Sequence, residues 1–289
     1  MMKKRKVMIL PYLLILPVIV LVGTFKIYPF VKTFISSFSV TTSVGEWLGW
    51  AGFDNWKMVF TDQNFGKIMG TTFKFAGMNL VMIFFGAMIL ALLSDGQKKK
   101  GKRLVQTMYA LPLAIASSPA ALIWGFILRK EGGVLNQILG TNIAWIQDTR
   151  SALFAVAIVT TWTHMASSFI LLLAGFKNVS EELLEAATLD GASSFTKITR
   201  IKIPLASAQI FFVLFLNIIT SFKTVGQIKL LTAGGPAGST TTLMYQVYER
   251  GSESGFFELA CCYSVILFIV VFLTTRIQFL FEKKFVYYQ

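Results

Sequence analysis

Six long runs of apolar residues alternate with short polar segments along the chain. Each run has about the 20 residues that an α-helix needs to cross the hydrocarbon core of a bilayer. Prolines within the first and third runs do not exclude helices, because neighbouring helices satisfy the backbone groups that a proline frees. The pattern predicts an all-α integral membrane protein of about six transmembrane helices, with spans at 7–29, 71–93, 104–128, 151–176, 204–223 and 256–281.

Composition supports a chain whose main solvent is lipid. Of the 289 residues, 55% are hydrophobic and 14% are charged, whereas soluble domains carry about 25% charged residues. No repeat, low-complexity tract or linker separates one part from another. We therefore expect a single transmembrane domain over residues 1–289.

The net charge of +13 is distributed unevenly between the two sets of alternating segments. Fifteen Lys and Arg residues lie in the N-terminus, segments 94–103 and 177–203, and the C-terminal tail, against eight in the other three segments. Basic residues collect in cytoplasmic loops of membrane proteins. The bias predicts that both termini and the 177–203 loop are cytoplasmic, and it favours contact with the lipid bilayer over nucleic acid.

Residues for catalysis or for metal binding are scarce. The chain has one histidine and two adjacent cysteines, Cys261 and Cys262, which predict small buried thiols and cannot form a metal cluster. Segment 96–102 has the glycine and lysine spacing of a phosphate-binding loop, but Arg103 stands where Ser or Thr would hold magnesium. We expect no catalytic residue, no metal and no cofactor in this chain, which is therefore not predicted to be an enzyme.

The polar loop 177–203 has the pattern of two short amphipathic helices around a tight turn. Ser180 is placed to cap the first helix and Ser193 or Ser194 the second, and Gly191 between them supplies the break. Such an element suits docking into a groove on a partner protein, or equally an interfacial position on lipid headgroups. Spacing alone leaves both interpretations open.

The same loop resembles the EAA signature of the permease subunits of binding-protein-dependent ABC importers. The resemblance rests on Glu185-Ala186-Ala187, Asp190-Gly191-Ala192 and the following Ile201, Ile203 and Pro204. In that family the loop forms a cytoplasmic coupling helix that lies in a cleft of the ATPase subunit. The resemblance assigns ATPase coupling to Glu185, Ala186, Ala187, Asp190 and Gly191. Ala208 departs from the family, in which a second proline is frequent.

The resemblance covers nearly the whole chain. The opening PYLLILPVIV with YPF, the segment AGFDNWKMVFTD, and Thr232-Ala233-Gly234-Gly235-Pro236 followed by Thr240 are similar to carbohydrate-type permeases. The subfamily it resembles handles glycerol-3-phosphate, maltodextrins and multiple sugars. The implied function is the permease subunit of an ATP-driven importer for a sugar, oligosaccharide or glycerol-phosphate type solute in the bacterial cytoplasmic membrane. The implied partners are a second permease, two ATPase subunits carrying ATP and Mg²⁺, and an extracytoplasmic solute-binding protein.

Polar residues within the fourth and fifth spans are candidates for contact with the solute, because polar side chains are costly in lipid and turn inward. The resemblance to maltose-type permeases places Thr163, His164 and Ser167 on the fourth span and Ser221 and Thr224 on the fifth at positions that line a sugar site. Asn217 is a further candidate on the fifth span. Trp162 suits either packing or stacking on a sugar ring, and Lys223 either extends to the membrane surface or offers its charge to a phosphorylated solute.

A secondary carrier, driven by an ion gradient, is the alternative function. Such carriers usually bury an acidic residue or show inverted repeats. No Asp or Glu lies deep in any predicted span, since Asp95 and Glu258 lie at span ends. The sequence therefore favours the importer permease.

Overall fold

The computed structural model describes residues 9–95 and 102–286. The basic N-terminal cluster at 3–6 and segment 96–101, which includes most of the phosphate-loop-like sequence, lie outside the described residues. The elements in chain order are α1 Ile9–Val22, a π-helical turn Gly23–Ile27, α2 Tyr28–Ser36, β1 Ser39–Thr41, β2 Trp47–Trp50, α3 Asp54–Thr61, α4 Phe65–Asp95, α5 Lys102–Ala110, a 3₁₀ turn Leu111–Ala114, α6 Ser117–Ile127, α7 Val134–Leu139, α8 Ala152–Lys177, α9 Glu181–Leu189, α10 Ser194–Lys197, a π-helical turn Ile198–Lys202, α11 Ile203–Leu205, α12 Ser207–Lys223, α13 Gly226–Leu231, α14 Leu243–Tyr248, a π-helical turn Glu249–Glu253 and α15 Phe257–Phe285.

Helices long and apolar enough to cross a bilayer occur at four of the predicted spans. They cover Leu13–Ser36, Phe65–Asp95, Ala152–Lys177 and Phe257–Lys284. The third predicted span is a bent pair of shorter helices. The fifth, predicted over 204–223, is the helix Ser207–Lys223, which meets Ser194–Leu205 at 71°, and most of Ser194–Leu205 lies in the predicted 177–203 loop. The described chain thus has four candidate spans, or six if each bent pair is one span, which agrees with the predicted number of about six.

The first span ends later than predicted. The π-helical turn Gly23–Ile27 precedes Pro29, which lies in the first turn of α2. The proline lacks one amide donor, and the π-helical turn in front of it shifts the backbone hydrogen bonds to i→i−5 without ending the helix. The helix therefore continues to Ser36 instead of ending at residue 29.

The third span, predicted as one helix over 104–128, is broken. Ile115 and Ala116 are extended, and the segments Leu104–Ala114 and Ser117–Ile127 meet at 103°. Pro112 lies in the 3₁₀ turn before the break, and Pro119 lies in the first turn of α6. Both prolines lack an amide donor, so the ladder of backbone hydrogen bonds is interrupted over this stretch.

The described residues fall into two compact units, of which the first comprises 9–62 and 247–266. It contains an antiparallel hairpin of β1 and β2, with Ser39 opposite Trp50. This hairpin departs from the predicted all-helical chain, because strands of three and four residues are too short to show an alternating pattern. Asn55 holds α3 to the hairpin by donating to the carbonyls of Ser37 and Ser39 at 3.2 and 2.9 Å.

The adjacent cysteines lie in the same unit. Cys261 and Cys262 are both buried and both free, which confirms the prediction of small buried thiols. The Sγ atom of Cys262 donates to the Ser37 carbonyl at 3.3 Å. At the start of α15, Glu258 accepts a 2.8 Å hydrogen bond from the Thr41 hydroxyl.

The second unit comprises 63–246 and 267–286 and has its core where α4, α8 and α12 pack together. Small residues on α4 face large apolar residues of α8, which lets the helices interdigitate. The buried cluster consists of Ala87, Ala91, Phe169, Leu172, Leu173, Phe176, Ala206 and Val213. That the two units form one permease domain stays a prediction.

Gly175 allows α8 and α12 to approach closely. A Cβ atom at this position would lie 2.7 Å from Cγ of Gln209 on α12. Small residues at such crossings permit close backbone contact between membrane helices. The crossing consequently places the loop after α8 next to the bend before α12.

Candidate functional site

The predicted coupling loop folds as two short helices joined by a closed turn. After α9 ends at Leu189, the amide of Gly191 donates to the Thr188 carbonyl and the amide of Ala192 to the Ala187 carbonyl, at 3.1 and 2.9 Å. This pair of bonds is a Schellman motif, and it requires a left-handed residue that is usually glycine. Gly191 has φ of +79°. The carbonyl of Ala187 in the EAA part and the amides of Gly191 and Ala192 in the DGA part therefore belong to one helix cap.

The second helix of the loop is capped by Ser193, which is one of the two serines predicted for this role. The Ser193 hydroxyl accepts the Thr196 amide at 3.1 Å. At the first helix the prediction was wrong, since Ser180 holds the N-cap position but its side chain makes no capping hydrogen bond. Lys197 on α10 donates to the Thr188 hydroxyl on α9 at 3.0 Å, which ties the two helices together.

The apolar residues of this loop divide between two faces. Leu184 and Ile198 are half-buried and line a cleft of 240 Å³ with Leu92 of α4. Leu189 is 90% exposed and Phe195 is 75% exposed. Because the described residues leave both large side chains uncovered, the outer face of α9 and α10 is suited to contact with another molecule.

An ion pair joins the far end of the same segment to α4. Lys202, in the π-helical turn after α10, pairs with Asp95, the last residue of α4, and both side chains are largely buried. Removing one member of a buried pair leaves an uncompensated charge and costs about 3 kcal/mol or more. The pair therefore sets the position of the loop relative to α4.

We expect Lys202→Glu to lower the free energy of unfolding of the purified chain by about 3 kcal/mol, because it places two carboxylates together. The double variant Asp95→Lys with Lys202→Glu should regain most of that loss. Arg200→Glu makes the same change on an exposed residue of the segment and should have little effect. Denaturant titration in detergent measures all three variants, and equal losses for Lys202→Glu and Arg200→Glu would contradict the role of the pair.

A cavity of 370 Å³ lies where several helices begin or end within the second unit. Ser117 is the first residue of α6, Lys223 is the last of α12, and Gly226 is the first of α13. The side of α8 contributes His164. The lining residues are Ser117, His164, Ile219, Thr220, Lys223, Thr224, Val225, Gly226 and Gln227.

Two of the six predicted solute-binding residues, His164 and Thr224, line this cavity together. The hydroxyls of Thr163 and Ser167 donate to backbone carbonyls of their own helix, at 2.8 Å each. Asn217 accepts a 2.8 Å hydrogen bond from Ser168 between α12 and α8. Ser221 is buried, and its Oγ has no partner among the described residues. For all six residues the solute-binding role stays a prediction.

Lys223, for which the sequence left two roles open, also lines the cavity, whereas Ser117 and Gln227 were not singled out from the sequence. Ser117 and Gln227 reach the cavity because the third span breaks at residue 116 and a short helix, α13, packs along α6. The prolines at 112 and 119 are the sequence signal that could have indicated the break. Trp162 forms an edge-to-face contact with Trp124 of α6, with ring centroids 5.9 Å apart, as the packing interpretation predicts.

The loop that follows α13 and carries the TxGGP element is held by its own hydrogen bonds. The hydroxyls of Thr232 and Thr240 lie 2.8 Å apart, and Thr240 also donates to the Gly235 carbonyl at 2.8 Å. Lys67 of α4 donates to the carbonyl of Ala237. The element thus has a structural role in closing this loop onto α4. Within residues 9–95 and 102–286, no three His, Cys, Asp or Glu side chains lie together as a metal site would require.

Comparison with known proteins gives a consistent assignment. Residues 84–287 match the family described as "binding-protein-dependent transport system inner membrane component". The sn-glycerol-3-phosphate transport system permease protein UgpA of Agrobacterium fabrum is 32% identical over 284 residues, covering 97% of each chain. Its counterpart from Salmonella typhimurium is 30% identical over 289 residues, covering 97% of this chain and 96% of the relative.

Solved structures share the fold. A chain from a bacterial ABC transporter involved in the import of the acidic polysaccharide alginate superposes with a TM-score of 0.83, at 22% identity over 95% of each chain. A chain from an amino acid ABC transporter gives a TM-score of 0.56 at 17% identity, covering 80% of this chain and 98% of that one. The sequence resemblance to importer permeases is confirmed, and the chain belongs to the family of binding-protein-dependent transport system inner membrane components.

Proposed function

We propose that this chain is the transmembrane permease subunit of an ATP-driven ABC importer for a sugar, oligosaccharide or glycerol-phosphate type solute. The solute class follows the names of the relatives, which act on sn-glycerol-3-phosphate, and of the structural neighbour, which imports alginate. The observation that carries the proposal is the α9–α10 element, which is closed by its helix cap and exposes Leu189 and Phe195. Nothing found in the comparisons supports a secondary carrier.

In this proposal the α9–α10 element is the contact with a separate ATPase. The exposed apolar side chains would lie in a groove of that subunit, as an amphipathic helix does in a helix-in-groove complex. Glu185 and Asp190 are exposed on the same element and are available to basic residues of the groove. ATP and Mg²⁺ are held by two ATPase subunits, a second permease completes the pathway, and an extracytoplasmic binding protein delivers the solute.

The mechanism is a shift between two global states. Closure of the ATPase pair on ATP would pull the α9–α10 element and its counterpart in the second permease together, and the spans would turn from inward-open to outward-open. Asp95–Lys202 transmits the movement to α4, because the pair joins the element to the end of that helix. The permease itself performs no catalysis.

The orientation that this function needs places both termini and the 177–203 loop in the cytoplasm of the cell. Glu182→Cys and Gln137→Cys put single exposed thiols on opposite sides of the predicted membrane, since α7 and α9 flank the two ends of α8. A membrane-impermeant maleimide should label Glu182→Cys in inside-out vesicles and Gln137→Cys in right-side-out cells. Labelling of Glu182→Cys from outside intact cells would overturn the proposed function.

A further inference from the structure

The distance of the cavity between α6, α8, α12 and α13 from the α9–α10 element can be measured along α8 and α12. His164 precedes the end of α8 at Lys177 by 13 residues, and Lys223 follows the start of α12 at Ser207 by 16 residues. At 1.5 Å per residue these separations are about 20 and 24 Å along the two helices. Both distances exceed half of the ~30 Å thickness of a hydrocarbon core, so the cavity lies well away from the α9–α10 element along both helices.

The charge of the cavity is positive. Lys223 is exposed, and among the described residues that line the cavity it is the one lysine or arginine and none is an aspartate or glutamate. An ionisable side chain at membrane depth is costly in lipid and is normally found facing a cavity or a partner. The cavity supplies the polar surroundings that a lysine needs at this depth, and it leaves the positive charge without a carboxylate among its walls.

Two further features of the cavity favour a negative ligand. Ser117 begins α6, an 11-residue helix whose N-cap, Ala116, has no side-chain cap, and the N-terminus of a helix attracts anions. Gln227 is 2% exposed, and its Nε2 donor has no hydrogen-bond partner among the described residues. The cavity therefore combines a cation, an uncapped helix N-terminus and amide and hydroxyl groups around 370 Å³.

We infer that this cavity binds the carboxylate or phosphate group of the imported solute, with Lys223 as the residue that selects for negative charge. The inference rests on the proposed function and narrows its solute class to acidic sugars and sugar or polyol phosphates. Lys229, six residues further on, is exposed on α13 but does not line the cavity, so it serves as the matched control.

The first test identifies charge preference in cells. A strain lacking this chain and the complemented strain are compared for uptake of labelled pairs: glucuronate and glucose, sn-glycerol 3-phosphate and glycerol, and an acidic and a neutral oligosaccharide. We expect the acidic members to depend on this chain. A panel in which no acidic member depends on it overturns the inference, whereas uptake that continues without ATP would instead contradict the proposed function.

The second test uses the complete importer in liposomes of phosphatidylcholine. Lys223→Gln should slow uptake of the acidic solute about tenfold to a hundredfold, because it removes the charge from a hydrogen bond to an anion. Lys223→Arg and Lys229→Gln should retain most of the uptake.

Each remaining outcome of the second test contradicts the inference. Normal uptake by Lys223→Gln would show that the charge is not needed. A loss of uptake in Lys223→Arg equal to that in Lys223→Gln would indicate a structural role of the lysine. An effect of Lys223→Gln that occurs only with anionic lipid in the liposomes assigns the cavity to a lipid headgroup.

Discussion

Gly191→Val is expected to reduce ATP-driven uptake about tenfold to a hundredfold in the assembled importer. A β-branched residue held at φ of +79° is strained by about 1–3 kcal/mol, and every 1.4 kcal/mol is a factor of ten in an equilibrium. A Cβ atom at this position meets nothing within 4 Å, so the strain acts on the backbone alone. This backbone strain destabilises the helix cap that orients α10 against α9.

Gly140→Val is the matched control for that variant. Gly140 ends α7 at φ of +62°, and a Cβ atom there also meets nothing within 4 Å. The two variants should lose similar stability in detergent, but Gly140→Val should import at nearly the normal rate. Uptake is measured per correctly inserted chain, which separates a loss of coupling from a loss of stability. Normal import by Gly191→Val, or equal loss in both variants, would contradict the coupling role of the capped turn.

Leu189→Glu is expected to weaken binding of the ATPase subunit about a hundredfold. Leu189 is 90% exposed, and burying a leucine in a partner groove contributes about 1.5–3 kcal/mol. Replacing it with a carboxylate loses that contribution and adds the cost of desolvating a charge. Affinity of the detergent-purified permease pair for the ATPase, measured by titration, tests the effect without any bilayer.

The detergent measurement separates the two interpretations that the sequence leaves open. If α9 instead lay on lipid headgroups, Leu189→Glu would not affect binding of the ATPase in detergent. Ile138→Glu provides the control, since Ile138 is 76% exposed on α7, beyond the opposite end of α8. Leu189→Ala should show an intermediate loss, because it removes apolar area without adding a charge.

Much of the fold was predictable because an apolar run long enough to span a bilayer strongly favours a membrane helix. The helix Ala152–Lys177 begins and ends within one residue of its predicted position, whereas Phe65–Asp95 begins six residues before and ends two residues after the predicted 71–93. The break at Ile115 and Ala116 was not predicted, since prolines are compatible with both continuous and interrupted membrane helices. The hairpin of β1 and β2 was missed because its strands are too short to produce a pattern.

The candidate site was less predictable, because it depends on which helix ends meet. Gly191 was identified correctly as a break, since a helix followed by glycine has a strong local signature. His164 and Thr224 reach one cavity, whereas Asn217 is engaged by Ser168 across the helix interface. A polar side chain within a span is expected to face away from lipid. The periodicity of the sequence does not show whether it then faces a cavity or a packed helix interface.

Uptake by purified components tests most directly whether this chain is driven by a separate ATPase through α9 and α10. Liposomes containing this chain and its partner permease alone should show no concentrative uptake under a proton or sodium gradient. Addition of the ATPase subunits, the binding protein and ATP should produce uptake that Leu189→Glu abolishes. Concentrative uptake by the chain alone, driven by an ion gradient, would contradict the account.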